Sequence, residues 1–231
     1  MYFPSYHVQN FFDYPDKVVK LAKTLNYNRN EGMWPGKRTE NLANSKDPVV
    51  RGLFSDTCNR ILKMIFCLTF TNEIVHWEAN ANFQLISAKD TITQKGWIHC
   101  DEPWIMTSII YLNDYSAGTK LYRSINPHGQ PFGTFHEPDG RFEAYKSGKI
   151  TENYESGLEK NNSNFEEIVS FSGSYNSMIA FDGSIPHGAD FTEMKNIDND
   201  DERLTLIIFF NRILASSYPI PNLKRGTHEE V

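Results

Sequence analysis

Cysteine is scarce in this chain. Cys58, Cys67 and Cys100 are the three in 231 residues, an odd number with no framework spacing. That argues against a disulfide-stapled secreted scaffold and fits a reducing compartment. Positive charge is not in excess either: 23 Lys and Arg face 29 Asp and Glu, a formal net charge of −6. The chain therefore has no general attraction to phosphate backbones or anionic membranes, and nucleic acid is not an expected partner. Long apolar runs are missing. The best, Trp104–Leu112 and Leu204–Phe210, fall far short of the ~20 residues a membrane helix needs. The opening Met1-Tyr2-Phe3-Pro4-Ser5-Tyr6 has no basic stretch followed by an apolar one, so no signal peptide is expected and the cytoplasm is the expected location. There is no internal repeat and no low-complexity tract.

What is present suits one globular domain over residues 1–231. The chain is 39% hydrophobic and 13% aromatic, enough to build a core at this length. Residues 1–65 read as helical support. Pro15 suits a first helical position, and Val18, Leu21, Ala22 and Leu25 repeat at helical spacing. A polar stretch with Trp34-Pro35-Gly36 follows. Asp47-Pro48 then opens a second amphipathic helix carrying Val50, Leu53, Phe54, Cys58, Ile61 and Leu62. From residue 66 to 211 the character changes to short runs rich in β-branched and aromatic residues, separated by turns. These runs are Phe66–Thr71, Val75–Ile86, Gly96–Cys100, Ile105–Leu112, Lys120–Arg123, Glu167–Phe171, Ser177–Phe181 and Arg203–Phe210. Eight such strands after a helical start predict an α+β, mainly β protein, a jelly roll with helices packed outside it. Residues 126–164 are polar and poor in aliphatics, and read as an insertion or lid carrying His128, Phe132, Phe135, His136 and Tyr145 beyond Tyr122 and Arg123.

Candidate chemistry starts from His-x-carboxylate pairs, which a strand presents on one face because its side chains alternate. Seven histidines and 29 acidic residues give about one such pair by chance, and three occur: His76-Trp77-Glu78, His99-Cys100-Asp101 and His228-Glu229-Glu230. The last lies at the terminus, where order is least expected. The first sits at the head of a long strand with no downstream partner, and reads as an exposed sheet face. His99 and Asp101 sit where a strand runs out, between Gly96 and Pro103. His187 lies in a similar setting, between Pro186 and Gly188, and Arg203 heads an apolar strand. Two His and one carboxylate on one side of an octahedral metal leave three positions open, the ligand set of non-haem iron(II) oxygenases. A buried Arg needs an anionic partner, and its fork suits a carboxylate.

In the order HCD (99–101), IIYLN (109–113), GTKLYR (118–123), FDGSIPH (181–187) and RLTLIIFF (203–210), the sequence resembles the 2-oxoglutarate/Fe(II)-dependent dioxygenases, nearest their prolyl-hydroxylase-like branch. The resemblance covers roughly residues 75–211. It implies a double-stranded β-helix in which His99, Asp101 and His187 bind Fe(II). It implies that Arg203 pairs with the far carboxylate of the cosubstrate 2-oxoglutarate, with Tyr111 and Thr205 beside it. Gln84 or Asn82 could reach the other end of the cosubstrate. Implied with these are consumption of O₂, release of succinate, and hydroxylation of a peptide or protein side chain or a small amino-acid-like molecule. Asp101 favours hydroxylation over halogenation, since related halogenases lack the carboxylate. Cys100 alternates away from the pair and reads as packing. The competing readings are a cupin-like metal-binding isomerase and a non-catalytic jelly-roll binding protein, in which Arg203 and Tyr111 would be idle.

Overall fold

A computed structural model describes residues 5–29, 34–66, 74–87, 90, 96–101, 105–114, 117–125, 144, 149–191 and 202–215. Two helices precede the main strands. α1 (Pro15–Thr24) starts with proline in its first turn and buries Val18 and Ala22. α2 (Pro48–Phe66) buries Val50, Phe54, Thr57, Cys58, Ile61, Leu62, Ile65 and Phe66. Phe66, expected to open a strand, is instead the last residue of α2, because it completes that helix's apolar stripe. The remainder of the expected Phe66–Thr71 strand lies outside the described residues. No described helix is long and apolar enough to cross a membrane.

The major sheet has seven strands in the order β1 (Tyr6–Val8), β8 (Met178–Asp182), β5 (Met106–Tyr111), β10 (Glu202–Ala215), β4 (Ile74–Ser87), β3 (Lys37–Arg38) and β2 (Asn28–Arg29). Every pairing is antiparallel. The three-stranded minor sheet has the order β7 (Phe165–Phe171), β6 (Thr119–Ser124), β9 (His187–Ala189). A long antiparallel sheet facing a shorter one makes the double-stranded β-helix.

Period-two alternation assigns the two faces of the major sheet. Ala81 and Phe83 of β4, Met106 and Ile110 of β5, Met178 and Ala180 of β8, and Leu204, Leu206, Ile208 and Phe210 of β10 join the core beneath α1 and α2. The intervening Ile109, Tyr111, Ile179, Phe181 and Ile207 point the other way and pack with Leu121 and Ile185 between the sheets. Arg203 and Thr205 have the parity of Ile207 and so lie on this inner face. β5 and β8 are buried along their whole length, which is why they read as unbroken apolar runs.

Three features depart from the sequence reading. Gly96–Cys100 is not a strand of a sheet; His99 makes a single bridge to His187, and the side chains of Asn161 and Asn162 hold Gly96 and Ile98. The acidic run Asp198-Asn199-Asp200-Asp201-Glu202 reads by composition as a solvated loop, but Glu202 does not belong to one. It begins β10, where its carboxylate accepts from Lys37 Nζ at 3.0 Å. Within the polar stretch, residues 152–162 form a third helix, α3 (Glu152–Asn162), capped by the Thr151 hydroxyl. It packs through Tyr154 and Leu158 on Trp97. His128, Phe132, Phe135, His136 and Tyr145, named as lid residues, lie outside the described residues, while Tyr122 and Arg123 are in β6.

Candidate metal centre

His99, Asp101 and His187 converge at one end of the inner face, and their ligating atoms all lie within 4.8 Å of one another. The chain segments are locked together first by backbone. His99 N donates to His187 O at 2.9 Å, His187 N to His99 O at 2.8 Å, and Asp101 N to Gly183 O at 2.9 Å. Side chains then fix the ring orientations. Nδ1 of His99 lies 2.8 Å from Trp97 O, and Nδ1 of His187 lies 2.9 Å from Ile185 O. A carbonyl can only accept, so in each ring Nδ1 carries the proton and donates, and Nε2 is the nitrogen that presents a lone pair able to ligate. Both Nε2 atoms point at the carboxylate: His187 Nε2 is 3.2 Å from Asp101 Oδ2, and His99 Nε2 is 3.6 Å from Oδ1. Ligands at right angles on an ion with bonds of about 2.1 Å stand about 3 Å apart. The triad therefore fits one divalent cation with an open side.

The electrostatics agree. Burial works against ionisation of Asp101, but His187, His99 and the Thr107 hydroxyl outweigh it and hold the carboxyl well below the usual range. Burial opposes charge on His187, yet the neighbouring Asp101 raises its pKa above the ordinary value. The site is built to attract positive charge, a proton or a metal ion. Thr107 Oγ1 donates to Asp101 Oδ2 at 2.6 Å, and Phe181 flanks the His187 ring at a centroid distance of 4.7 Å. A cradle of asparagines holds the approach to His99. Asn162 Oδ1 accepts from Ile98 N, Asn162 Nδ2 donates to Gly96 O, and Asn161 Nδ2 donates to Ile98 O.

Arg203, Tyr111 and Thr205 sit together further along the same face. Arg203 is buried, donates from Nε to Ala117 O at 2.9 Å, and stacks over Tyr111 at 5.1 Å. Burial lowers its pKa and Tyr111 opposes the shift, while a guanidinium keeps its charge. The Tyr111 hydroxyl bonds Thr119 Oγ1 at 2.8 Å. Thr205, paired across strands with Tyr111 on one side and Gln84 on the other, buries a hydroxyl with no hydrogen-bond partner among the described residues. A buried cation beside an unpartnered hydroxyl is a pair of donors that a carboxylate could satisfy. Gln84 and Asn82 lie on the inner face too, but donate to Pro35 O and Thr39 O, both at 2.8 Å.

Elsewhere, His76 and Glu78 pair with each other at 3.0 Å on the surface, and His228 lies outside the described residues. Cys100 Sγ donates to Ser184 O at 3.4 Å, away from the triad. Sequence reasoning did not single out Thr107 as a partner of Asp101, nor the asparagine pair. It also missed Arg38 of β3, which stacks on Trp34 at 4.3 Å and feels the charge of Asp101.

The chain is similar in fold to several solved structures at low identity. The non-heme alpha ketoglutarate dependent carbocyclase SnoK from nogalamycin biosynthesis aligns with a TM-score of 0.53 at 12% identity, over 90% of this chain and 79% of that one. AviO1 from Streptomyces viridochromogenes Tue57 aligns with a TM-score of 0.51 at 12% identity, over 90% and 89%. HygX from Streptomyces hygroscopicus, a structure with nickel, 2-oxoglutarate and hygromycin B bound, aligns with a TM-score of 0.50 at 9% identity, over 90% and 83%. These likenesses establish the double-stranded β-helix fold. No curated protein matches the chain. The chain belongs to the family described as "Family of unknown function (DUF6445)", which matches residues 3–210.

Proposed function

We propose that this DUF6445 protein is a 2-oxoglutarate- and O₂-dependent non-haem iron(II) oxygenase that hydroxylates a peptide side chain or a small amino-acid-like molecule. The observation that carries the reading is the pair of histidines whose Nε2 lone pairs, set by Nδ1 bonds to Trp97 O and Ile185 O, meet the Asp101 carboxylate. Together they form a facial two-His, one-carboxylate donor set. The second support is the buried Arg203 with Tyr111 and the unpartnered Thr205 hydroxyl on the same face.

His99, Asp101 and His187 would hold the iron, and Arg203 with Thr205 would hold the far carboxylate of 2-oxoglutarate. Bound iron with 2-oxoglutarate supplies O₂ activation coupled to decarboxylation of the cosubstrate to succinate. The chain's own residues do the rest. Tyr111 stacks beneath the Arg203 guanidinium, and Ala117 O takes its Nε–H, so the fork is aimed before ligand arrives. Thr107 occupies a lone pair of Asp101 Oδ2 and fixes the carboxylate rotamer. Phe181, Ile207 and Ile109 exclude water from the middle of the face.

The test is an anaerobic titration of the iron(II)-loaded protein with 2-oxoglutarate, following the visible charge-transfer band of the chelate. A saturable band, absent in Asp101→Ala, together with O₂-dependent succinate, supports the reading. Bound iron without a band refutes it and leaves a cupin-like metal protein that does not use 2-oxoglutarate.

A further inference from the structure

β3 brings a second cation to the inner face. Lys37 turns outward to Glu202, so by alternation Arg38 turns inward. Its guanidinium lies 4.3 Å from the centre of the Trp34 ring and 5.8 Å from that of Phe209. Phe209 is the cross-strand partner of Thr107, the residue that bonds Asp101. Arg38 therefore leans toward the metal end of the face. The Arg38 backbone is in register with Gln84 and, beyond it, Thr205, but its guanidinium reaches toward Phe209 and feels the charge of Asp101, whereas the Arg203 guanidinium stacks on Tyr111.

Arg38 makes no side-chain hydrogen bond or ion pair with any described residue, and its buried Nε and the buried Nε1 of Trp34 both lack a partner. Arg38, Trp34 and Phe209 are each only partly buried. Burial of an arginine without an anion is costly, and here it pushes the pKa down to about 10, with Asp101 in partial compensation. A divalent ion on the triad would take up the charge of Asp101. Among the described charged groups on this face, Asp101, Arg38, Arg203, the ion and dianionic 2-oxoglutarate would then leave one positive charge unmatched.

The placement is enforced by backbone. Gly36 adopts φ 75°, and a Cβ there would stand 2.0 Å from Leu85 O, so only glycine lets the chain lie this close to β4. Gln84 Nε2 then clamps Pro35 O. Together they hold Trp34 against Arg38.

Building on the oxygenase reading, we propose that Arg38 and Trp34 form a carboxylate-binding subsite beside the metal centre, distinct from Arg203, and that the primary substrate is a carboxylate-bearing molecule anchored there. Arg38 supplies the planar fork, and the Trp34 Nε1–H a further donor. The same chemistry could instead take the near carboxylate of 2-oxoglutarate, and the experiment separates the two.

The intrinsic tryptophan emission of the full chain is titrated, first metal-free, with acetate, benzoate and N-acetylglycine, and with N-acetylglycinamide as the neutral control. The proteins are wild type, Arg38→Gln, Arg38→Lys and Trp34→Phe, with circular dichroism as the check on folding. The anaerobic cobalt(II)-loaded proteins are then titrated with 2-oxoglutarate. Wild type should bind at least one carboxylate in preference to the amide. Arg38→Gln should weaken it about ten- to a hundredfold, with Arg38→Lys between. An unchanged 2-oxoglutarate affinity in Arg38→Gln, with the carboxylate still binding on top of the cosubstrate, assigns the subsite to the substrate. A tenfold loss of 2-oxoglutarate affinity assigns it to the cosubstrate and overturns the substrate claim. No preference for carboxylate over amide, or equal binding of every ligand by folded Arg38→Gln, overturns the subsite. Failure of cobalt-loaded wild type to bind 2-oxoglutarate would overturn the oxygenase reading alone, since carboxylate binding by metal-free protein tests Arg38 independently.

Discussion

Replacing Thr107 by valine isolates one hydrogen bond at the metal centre. Thr107 is 1% exposed and donates from Oγ1 to Asp101 Oδ2 at 2.6 Å. Valine keeps the β-branch and nearly the same shape, so the strand and its pairing opposite Phe181 of β8 and Phe209 of β10 are retained. What is lost is a donor to a buried carboxylate, worth about 1.5–3 kcal/mol. With metal bound, the loss falls on the orientation of Asp101, and a change of that size in a supporting residue corresponds to roughly ten- to a hundredfold weaker metal binding. The assay is competition between protein and a chelator of known affinity for cobalt(II), read from the visible cobalt spectrum, for wild type, Thr107→Val and Thr107→Ser. Serine should restore most of the affinity. A Thr107→Val protein that binds cobalt within twofold of wild type would show that Asp101 needs no support, or that it is not a ligand. Loss of thermal stability with unchanged metal affinity would give the hydroxyl a purely structural role.

Other outcomes follow from the same geometry. Arg203→Met should weaken 2-oxoglutarate binding about a hundredfold while leaving cobalt affinity and folding intact, because an apolar side chain of similar length removes the desolvation cost together with the charge; calorimetry on cobalt-loaded protein checks it. Phe210→Ala should cost about 3–5 kcal/mol and lower the melting temperature by roughly 10 °C, since the ring is fully buried under α2 beside Trp77. Burial disfavours the charge on Asp90, but the amide and hydroxyl of Ser87 with Arg29 hold its carboxyl below the ordinary value. A depressed carboxyl stabilises the fold above its unfolded pKa of about 3.9 and loses that contribution as pH falls through the lower folded value. Asp90→Asn should thus flatten the acid limb of a urea-unfolding profile, and an unchanged limb would show the carboxyl contributes nothing.

The parts of the fold legible in the sequence are those where burial writes a period. The stripe of α2 and the continuous apolar runs of β5 and β8 are visible because each residue's partner is the core itself. The triad was legible for a different reason. His99 and Asp101 keep fixed spacing on one extended segment, and His187 lies in a strand-to-turn setting whose glycines and proline stand out. Where the sequence reading erred, long-range partners decided the outcome. Phe66 reads as strand by composition but completes a helical stripe. Glu202 reads as part of an acidic loop until Lys37, 165 residues away, is placed opposite it. Arg38 could not be singled out, because two-residue β3 is too short to show a period, and the Arg acquires meaning only when β4 carries it beside Trp34 and Phe209. The one local trace was Trp34-Pro35-Gly36: a glycine after proline promises a turn, but not the close approach to Leu85 O that makes that turn aim an indole at a guanidinium. Spacing offered three His-x-carboxylate pairs, and the motif order shared with the 2-oxoglutarate-dependent dioxygenases singled out His99 and Asp101 with His187 as candidate ligands. The groups proposed to select the substrate come from segments that the fold alone brings together.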